Sequence, residues 1–254
     1  MSLNPTKRFS DRVHYYVKYR PEYPTEIVDL LKEACALSKS STIADIGSGT
    51  GFLSELFLQN GNKVFGIEPN PEMRMAAEDR FADKPHFISI NGRAESTGLE
   101  ESTIDFITAG QAFHWFDLEK TKSEFKRILK SHGFVVLIWN VRKLDATPFL
   151  TAYEKFLHKY GTDYKKVQYK TVASQLVENF FGKCQYKLEI FSNSQKLNYV
   201  GLEGRLLSSS YVPAYGKTNH NRMLEGLASI FNECNIGGYV TFEYDTKVFF
   251  GKLN

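Results

Sequence analysis

The sequence predicts a doubly wound α/β fold, a mostly parallel sheet with helices on both faces. Three observations carry this expectation. Short apolar runs alternate with segments of helical spacing. The first run, Ile43-Ala44-Asp45-Ile46, leads into a turn with glycine at every second position, Gly47, Gly49 and Gly51, and an apolar segment resumes at Phe52. A later run, Phe134 to Trp139, is continuously apolar, as a strand buried on both faces should be.

Bulk properties narrow the class. A chain of 254 residues is ample to bury a core. A net charge of +3 is too small to argue affinity for nucleic acid or membrane, so neither partner is expected. No apolar run approaches the ~20 residues a membrane span needs. Met1 to Arg12 is polar and lacks the apolar core of a signal peptide. Cys35, Cys184 and Cys234 are odd in number and far apart, so reduced thiols and a cytoplasmic location are expected. No Cys-x-x-Cys or His-Glu-x-x-His pattern occurs, and no metal is expected.

Taken in order, Phe9 to Pro24 reads by composition as a surface arm packing its tyrosines on the body. Ile27, Leu30, Leu31, Ala34 and Cys35 have helical spacing, with Thr25 as the expected N-cap. After the first strand and its glycine turn, Leu53, Leu56 and Phe57 make a short helix that stops at Asn60-Gly61. Lys63 to Glu68 is a second apolar run ending in an acid. Strand ends of this kind line the ligand crevice of α/β sheets. A carboxylate there can accept bonds from both hydroxyls of a ribose, each worth about 1.5–3 kcal/mol. Asn70 caps a helix with Pro71 at its first position, and its methionines are expected to pack.

Phe87-Ile88-Ser89-Ile90 reads as a third strand and Thr103 to Gly110 as a fourth. The latter runs into Gln111-Ala112-Phe113-His114-Trp115-Phe116-Asp117. Histidine titrates near neutral pH and suits a general base, although one in an aromatic setting is as readily a packed residue. Asp117 caps a helix that Ser131-His132-Gly133 should stop, with Lys120, Lys122, Lys126, Arg127 and Lys130 on its solvated face. Beyond Val141 the pattern changes to two aromatic-rich helices, Pro148 to Tyr160 and Lys170 to Phe181. Cys184 to Phe191 reads as the sixth strand. Leu202 to Ser210 and Arg222 to Phe231 read as helices, and Tyr239 to Phe250 as an antiparallel closing strand. The expected organisation is one compact unit: a sheet core of residues 1–142 and 184–254, with 143–183 inserted as a helical lid.

The Gly-x-Gly-x-Gly spacing, with Asp45 before it and Glu68 after it, resembles motif I and the following acidic loop of the class I S-adenosylmethionine-dependent methyltransferases. Gln111-Ala112-Phe113-His114-Trp115-Phe116 resembles the group that includes trans-aconitate methyltransferase, as does Tyr19-Arg20-Pro21-Glu22-Tyr23-Pro24 the arm of small-molecule enzymes. The resemblance implies a Rossmann-like, seven-stranded sheet with S-adenosylmethionine as cofactor. It implies cofactor contacts from Tyr19, Arg20, Asp45, Gly47, Ser48, Gly49, Gly51, Glu68, Pro69, Ala94, Glu95, Gln111 and Ala112. There Arg20 would pair with the methionine carboxylate, Asp45 would engage the amino group, and the Ala94 N–H and Glu95 would meet the adenine. His114 would orient the acceptor or serve as base. Trp115, Arg205 and Tyr211 would face the acceptor, although by sequence alone a surface position is the reading favoured for Arg205.

The expected activity is methyl transfer (EC 2.1.1.-) to a small molecule, with a carboxylate one class of acceptor. Three other readings are weighed against it. A nicotinamide-dependent oxidoreductase is opposed by the glycine spacing and by Asp45, which would repel a pyrophosphate. A nucleic-acid methyltransferase is opposed by the absence of an Asn/Asp-Pro-Pro-aromatic motif after the fourth strand. A protein that binds the cofactor without catalysis stays open, because binding and catalytic residues are separable.

Overall fold

The computed structural model describes residues 12–162, 164, 172–183, 185–213 and 215–253. The apolar runs become strands β1 (Thr42–Ile46), β2 (Lys63–Ile67), β3 (Phe87–Ile90), β4 (Ile104–Gly110), β5 (Leu129–Arg142), β6 (Tyr186–Leu197) and β7 (Val240–Gly251). They form one seven-stranded sheet in the order β3-β2-β1-β4-β5-β7-β6. β1 pairs parallel with β2 and β4, β2 with β3, and β4 with β5. β7 runs antiparallel to both neighbours, β5 and β6. This is the doubly wound sheet the sequence predicts. Its order reverses between β1 and β4, so a crevice opens at their C-terminal ends.

Between the strands lie α1 (Val13–Tyr19), α2 (Glu26–Cys35), α3 (Phe52–Gln59), α4 (Pro71–Arg80), α5 (Leu118–Ile128), α6 (Pro148–Tyr160), α7 (Val172–Phe181), α8 (Tyr199–Leu207) and α9 (His220–Cys234). One apolar core joins α2 and α3 to the sheet through Ile27, Leu31, Phe57, Val64 and Ile138. On another, α5 and α7 pack Phe125, Ile128, Val177 and Phe180 against Ile107, Trp139 and Phe249. A third core joins α6, α8, α9 and β7 through Leu150, Leu157, Leu206, Met223, Leu227 and Phe242. The two helices expected as one lid therefore serve different cores: α6 packs with α8 and α9, and α7 under β4 and β5.

Local expectations hold where the chemistry is local. Asn70 accepts from the Met73 N–H at 2.9 Å and Asp117 from the Lys120 N–H at 3.3 Å, both as helix N-caps. Others are corrected. Thr25 makes no side-chain cap, because its own backbone is already helical. Ser131-His132-Gly133 does not stop α5; the helix ends at Ile128, and β5 absorbs these residues at a register shift opposite Ile104/Phe106. Arg127 and Lys130 are not a free solvated face: Arg127 grips Glu124 and the Leu99 carbonyl, and Lys130 grips Asp105. Met73 is buried, but Met75 is 60% exposed. The arm is not featureless, since Val13–Tyr19 is helical. Phe9 to Asp11, Lys170 and Cys184 lie outside the described residues, while Cys35 and Cys234 are free thiols. Among the described residues no helix is long and apolar enough to cross a membrane.

Candidate functional site

The turn after β1 is tied to β2, with the Gly47 and Ser48 N–H groups donating to the Ile67 carbonyl at 2.8 and 3.2 Å. Gly47 has φ +68, and a Cβ there would stand 2.6 Å from the Ala112 Cβ. This turn therefore packs directly beneath the loop after β4. Gly49, at φ +57, differs: nothing lies within 4 Å of where its Cβ would be. The middle of the turn thus faces open space, and α3 begins just beyond it with free N–H groups.

Two carboxylates fix this turn. Asp45 is fully buried. It accepts from the Ser54 hydroxyl at 2.7 Å and the Thr108 hydroxyl at 3.1 Å. Burial pushes its pKa up to about 6, against those two bonds, and nearby Glu68 adds to the rise. Tyr23 lies close by; burial raises its pKa, and then Tyr16 and Asp45 do. Its hydroxyl occupies the space over Gly110 at the end of β4. Glu68 accepts from the Gly49 N–H at 2.9 Å and the Asn70 N–H at 2.8 Å, joining the glycine turn to the cap of α4. Burial also raises its pKa. Each carboxylate oxygen of Glu68 retains a lone pair for a ligand hydroxyl.

The rim of the crevice comes from two loops. Pro69, between Glu68 and Asn70, is half-buried, and Ala94 is buried. Glu95 reaches across to accept from the Asp117 N–H at 2.9 Å. Gln111 holds a left-handed backbone, φ +57, that costs a non-glycine residue about 1–2 kcal/mol. Its N–H donates to the Ile138 carbonyl and its side chain to the Asn140 carbonyl. That kink turns Phe113 into the core, 4.8 Å from Phe180, and leaves His114 and Trp115 half-buried with ring centroids 4.7 Å apart.

Tyr19 and Arg20 are drawn elsewhere than the glycine turn. The Tyr19 ring lies on Gly204 of α8, a contact only a residue without a Cβ allows. The Arg20 guanidinium stacks over Tyr16 at 4.7 Å and donates to the Ser208 carbonyl at 2.8 Å. Beside it stands Arg205, whose side chain is buried among Tyr153, Tyr211 and Tyr244. Arg205 is thus an interior residue, not a surface one. The sequence reading missed the rest of this cluster. Arg142 grips Glu154 and donates to the Tyr164 hydroxyl at 2.9 Å, and Tyr164 donates to Glu154 at 2.6 Å. Arg142 ends β5, three positions past its apolar run at Trp139, where a cation marks a strand end facing something polar.

A sheet of this order, with a glycine turn at the end of β1 and a carboxylate at the end of β2, defines the class of nucleoside-binding α/β enzymes. The comparisons name the family. Residues 44–137 match the methyltransferase domain model. An uncharacterized methyltransferase-like protein of Schizosaccharomyces pombe is 30% identical over 181 residues, 71% of this chain and 69% of its own. An uncharacterized methyltransferase of Mycobacterium tuberculosis is 33% identical over 134 residues, about half of each chain. In fold, a solved protein of Anaeromyxobacter dehalogenans, provisionally assigned as a type II methyltransferase, superposes with TM-score 0.70 at 18% identity, covering 92% of this chain and 98% of that one. The chain belongs to the class I S-adenosylmethionine-dependent methyltransferases, and S-adenosylmethionine is its cofactor. The open cradle at Gly49 fits that group, since a side chain there would fill the space a bound nucleoside needs.

Proposed function

We propose that this methyltransferase acts on a small-molecule acceptor held between the crevice at Gly47–Gly51 and the third core. The observation that carries this is the open space at Gly49, flanked by Glu68 and by the strained Gln111. Bound here, the cofactor supplies a methyl group already activated on a sulfonium. The residues of the chain then have to hold and align. Gly47, Ser48, Gly49 and Gly51 form the cradle, and Glu68 with Pro69 accepts the ribose. Ala94 and Glu95 flank the base. Gln111 and Ala112 form the floor below the reacting end. Asp45, whose oxygens are taken by Ser54 and Thr108, stiffens the turn and sets a negative charge beneath it. Such positioning supplies ~7–11 kcal/mol of barrier reduction.

His114 orients the acceptor, or takes its proton where the nucleophile arrives protonated. Trp115, Arg205 and Tyr211 wall the acceptor side. A carboxylate acceptor, as in the trans-aconitate group, needs no base. The layer of α6, α8 and α9 then does the work expected of a lid.

The test has two parts. Calorimetry with S-adenosylhomocysteine should show one site, weakened at least tenfold by Glu68→Gln. Labelled cofactor incubated with a small-metabolite extract should yield a labelled product of low mass. Binding without transfer to any metabolite would overturn the enzymatic reading, and no binding would overturn both.

A further inference from the structure

Beside the cofactor crevice, the third core buries more positive than negative charge. Arg20, Arg142 and Arg205 converge there on Tyr153, Tyr211 and Tyr244. Glu154 answers Arg142. Neither Arg20 nor Arg205 has an acidic partner among the described residues. Arg205 is only 8% exposed; its Nη1 reaches the Ser209 hydroxyl at 3.4 Å, and its Nε is sealed from solvent without a hydrogen-bond acceptor. Part of Arg20 stays exposed, but its Nε is likewise sealed and unmet, while Nη2 is held by the Ser208 carbonyl.

A guanidinium cannot shed its charge to escape this situation. Two of them side by side, Arg205 buried and Arg20 in part, without a counter-ion among the described residues, are costly to the empty protein. The carbonyls at the C-terminal end of α8 offset part of that cost, since a helix end carries only about half a charge. The Nε–H is one of the donors a guanidinium offers side-on to a planar or tetrahedral oxyanion. In both arginines the contacts made use Nη and leave Nε open. Access is from the side of Arg20. With Tyr244 it lines a cleft of about 970 Å³ between the arm and strands β6 and β7, whose walls carry five basic and three acidic side chains, Lys143 and Lys196 among the former; Arg205 does not line the cleft, and an anion reaches it only past Arg20 and Tyr244.

We propose that Arg20 and Arg205 together form a receptor for an oxyanion on the methyl acceptor, making the acceptor a polycarboxylate or a phosphomonoester. This rests on the methyl-transfer reading above and deepens it. The receptor is assigned to the acceptor and not to the carboxylate of the cofactor, because Arg205 is on α8 and Tyr153, Tyr211 and Tyr244 belong to the third core, not to the elements that carry the glycine turn.

The probes are citrate, succinate and inorganic phosphate, against sodium chloride at matched ionic strength, each with S-adenosylhomocysteine present. In thermal unfolding, an oxyanion at tenfold its dissociation constant should raise the wild-type midpoint by about 3–6 °C. Arg205→Met should abolish that rise, and Arg205→Lys should keep part of it. By calorimetry, Arg205→Met should leave the affinity for S-adenosylhomocysteine within about twofold. Without ligand, Arg205→Met should be at least as heat-stable as wild type, which a merely structural arginine would not allow. Whether carboxylates or phosphate give the shift identifies the anion. The proposal is overturned if no oxyanion shifts a wild type that binds S-adenosylhomocysteine, if Arg205→Met keeps the shift, or if that variant loses cofactor affinity as well. A wild type that fails to bind S-adenosylhomocysteine overturns the methyl-transfer reading instead.

Discussion

Gly47 and Gly49 are two positions apart in one turn, yet alanine should act at one mainly on stability and at the other mainly on cofactor affinity. Both have positive φ, so alanine at either costs about 1–2 kcal/mol of backbone strain. At Gly47 the new methyl also meets Ala112 at 2.6 Å, an overpacking that adds about 1–3 kcal/mol. Gly47→Ala should therefore lower stability by about 2–5 kcal/mol. Gly49→Ala meets no protein atom within 4 Å, so its stability cost stays near 1–2 kcal/mol, about 2–8 °C in midpoint for a chain of this size. Its methyl instead occupies the space left for the cofactor. If the crowding there resembles overpacking in a core, affinity for S-adenosylhomocysteine falls about five- to a hundredfold. Thermal unfolding and calorimetry on the two variants read both quantities. Gly49→Ala with unchanged affinity would refute the reasoning, because the open side of the turn would then face no ligand.

Three further outcomes are expected. Asp45 has its pKa raised to about 6, above its unfolded value, so the folded state keeps a proton that the unfolded chain releases first. Its burial therefore costs nothing extra below about pH 3 and progressively more from there up to about pH 6. Asp45→Asn should gain about 3 kcal/mol on wild type between pH 3 and 8 in urea titrations, and a constant difference would contradict this. Glu124 has its pKa lowered to about 2, first by the hydrogen-bonded Arg127 fork, against an opposing effect of burial that is second in size, with Thr97 adding a smaller lowering. Its contribution is complete above the unfolded carboxylate pKa and lost as pH falls from about 5 to 2. Because Arg127 is 40% exposed, screening holds that contribution to about 1–2 kcal/mol, and Glu124→Gln should differ from wild type at pH 7 but not at pH 2. His114→Ala should lower kcat at least tenfold with S-adenosylhomocysteine affinity within twofold. An equal loss of both, by kinetics and calorimetry, would remove its assigned place at the acceptor.

The sheet was legible because its strands are buried on both faces and read as unbroken apolar runs, Phe134 to Trp139 above all. The glycine turn was legible because its conformation admits few other residues. The beginning of β5 was not, since Ser131-His132-Gly133 looks like a helix stop and only pairing with β4 makes it a strand. The edge strand β6 extends to Leu197 because β7 supplies partners the local sequence cannot announce. The arginine cluster was half legible. Arg20 and Arg205 stood out singly, but their adjacency depends on α1 docking on α8, a contact between parts of the chain far apart in sequence.

That docking has a consequence for how the protein is made. Many of the arm's hydrogen bonds go to late residues: Asn193 and Gln195 hold the carbonyls of Glu22 and Tyr19, and Arg12 and Arg20 hold carbonyls at Ser208, Ser209 and Val212, all 171–200 positions away. A nascent polypeptide that has left the ribosome only as far as β5 can already assemble the parallel half of the sheet and its glycine turn. Its first segment can then lay Tyr16 on Phe52 and Tyr23 over Gly110, but the bonds that hold Arg12, Tyr19 and Arg20 wait for β6 and α8 to emerge. The pocket is therefore finished last, although it is begun first.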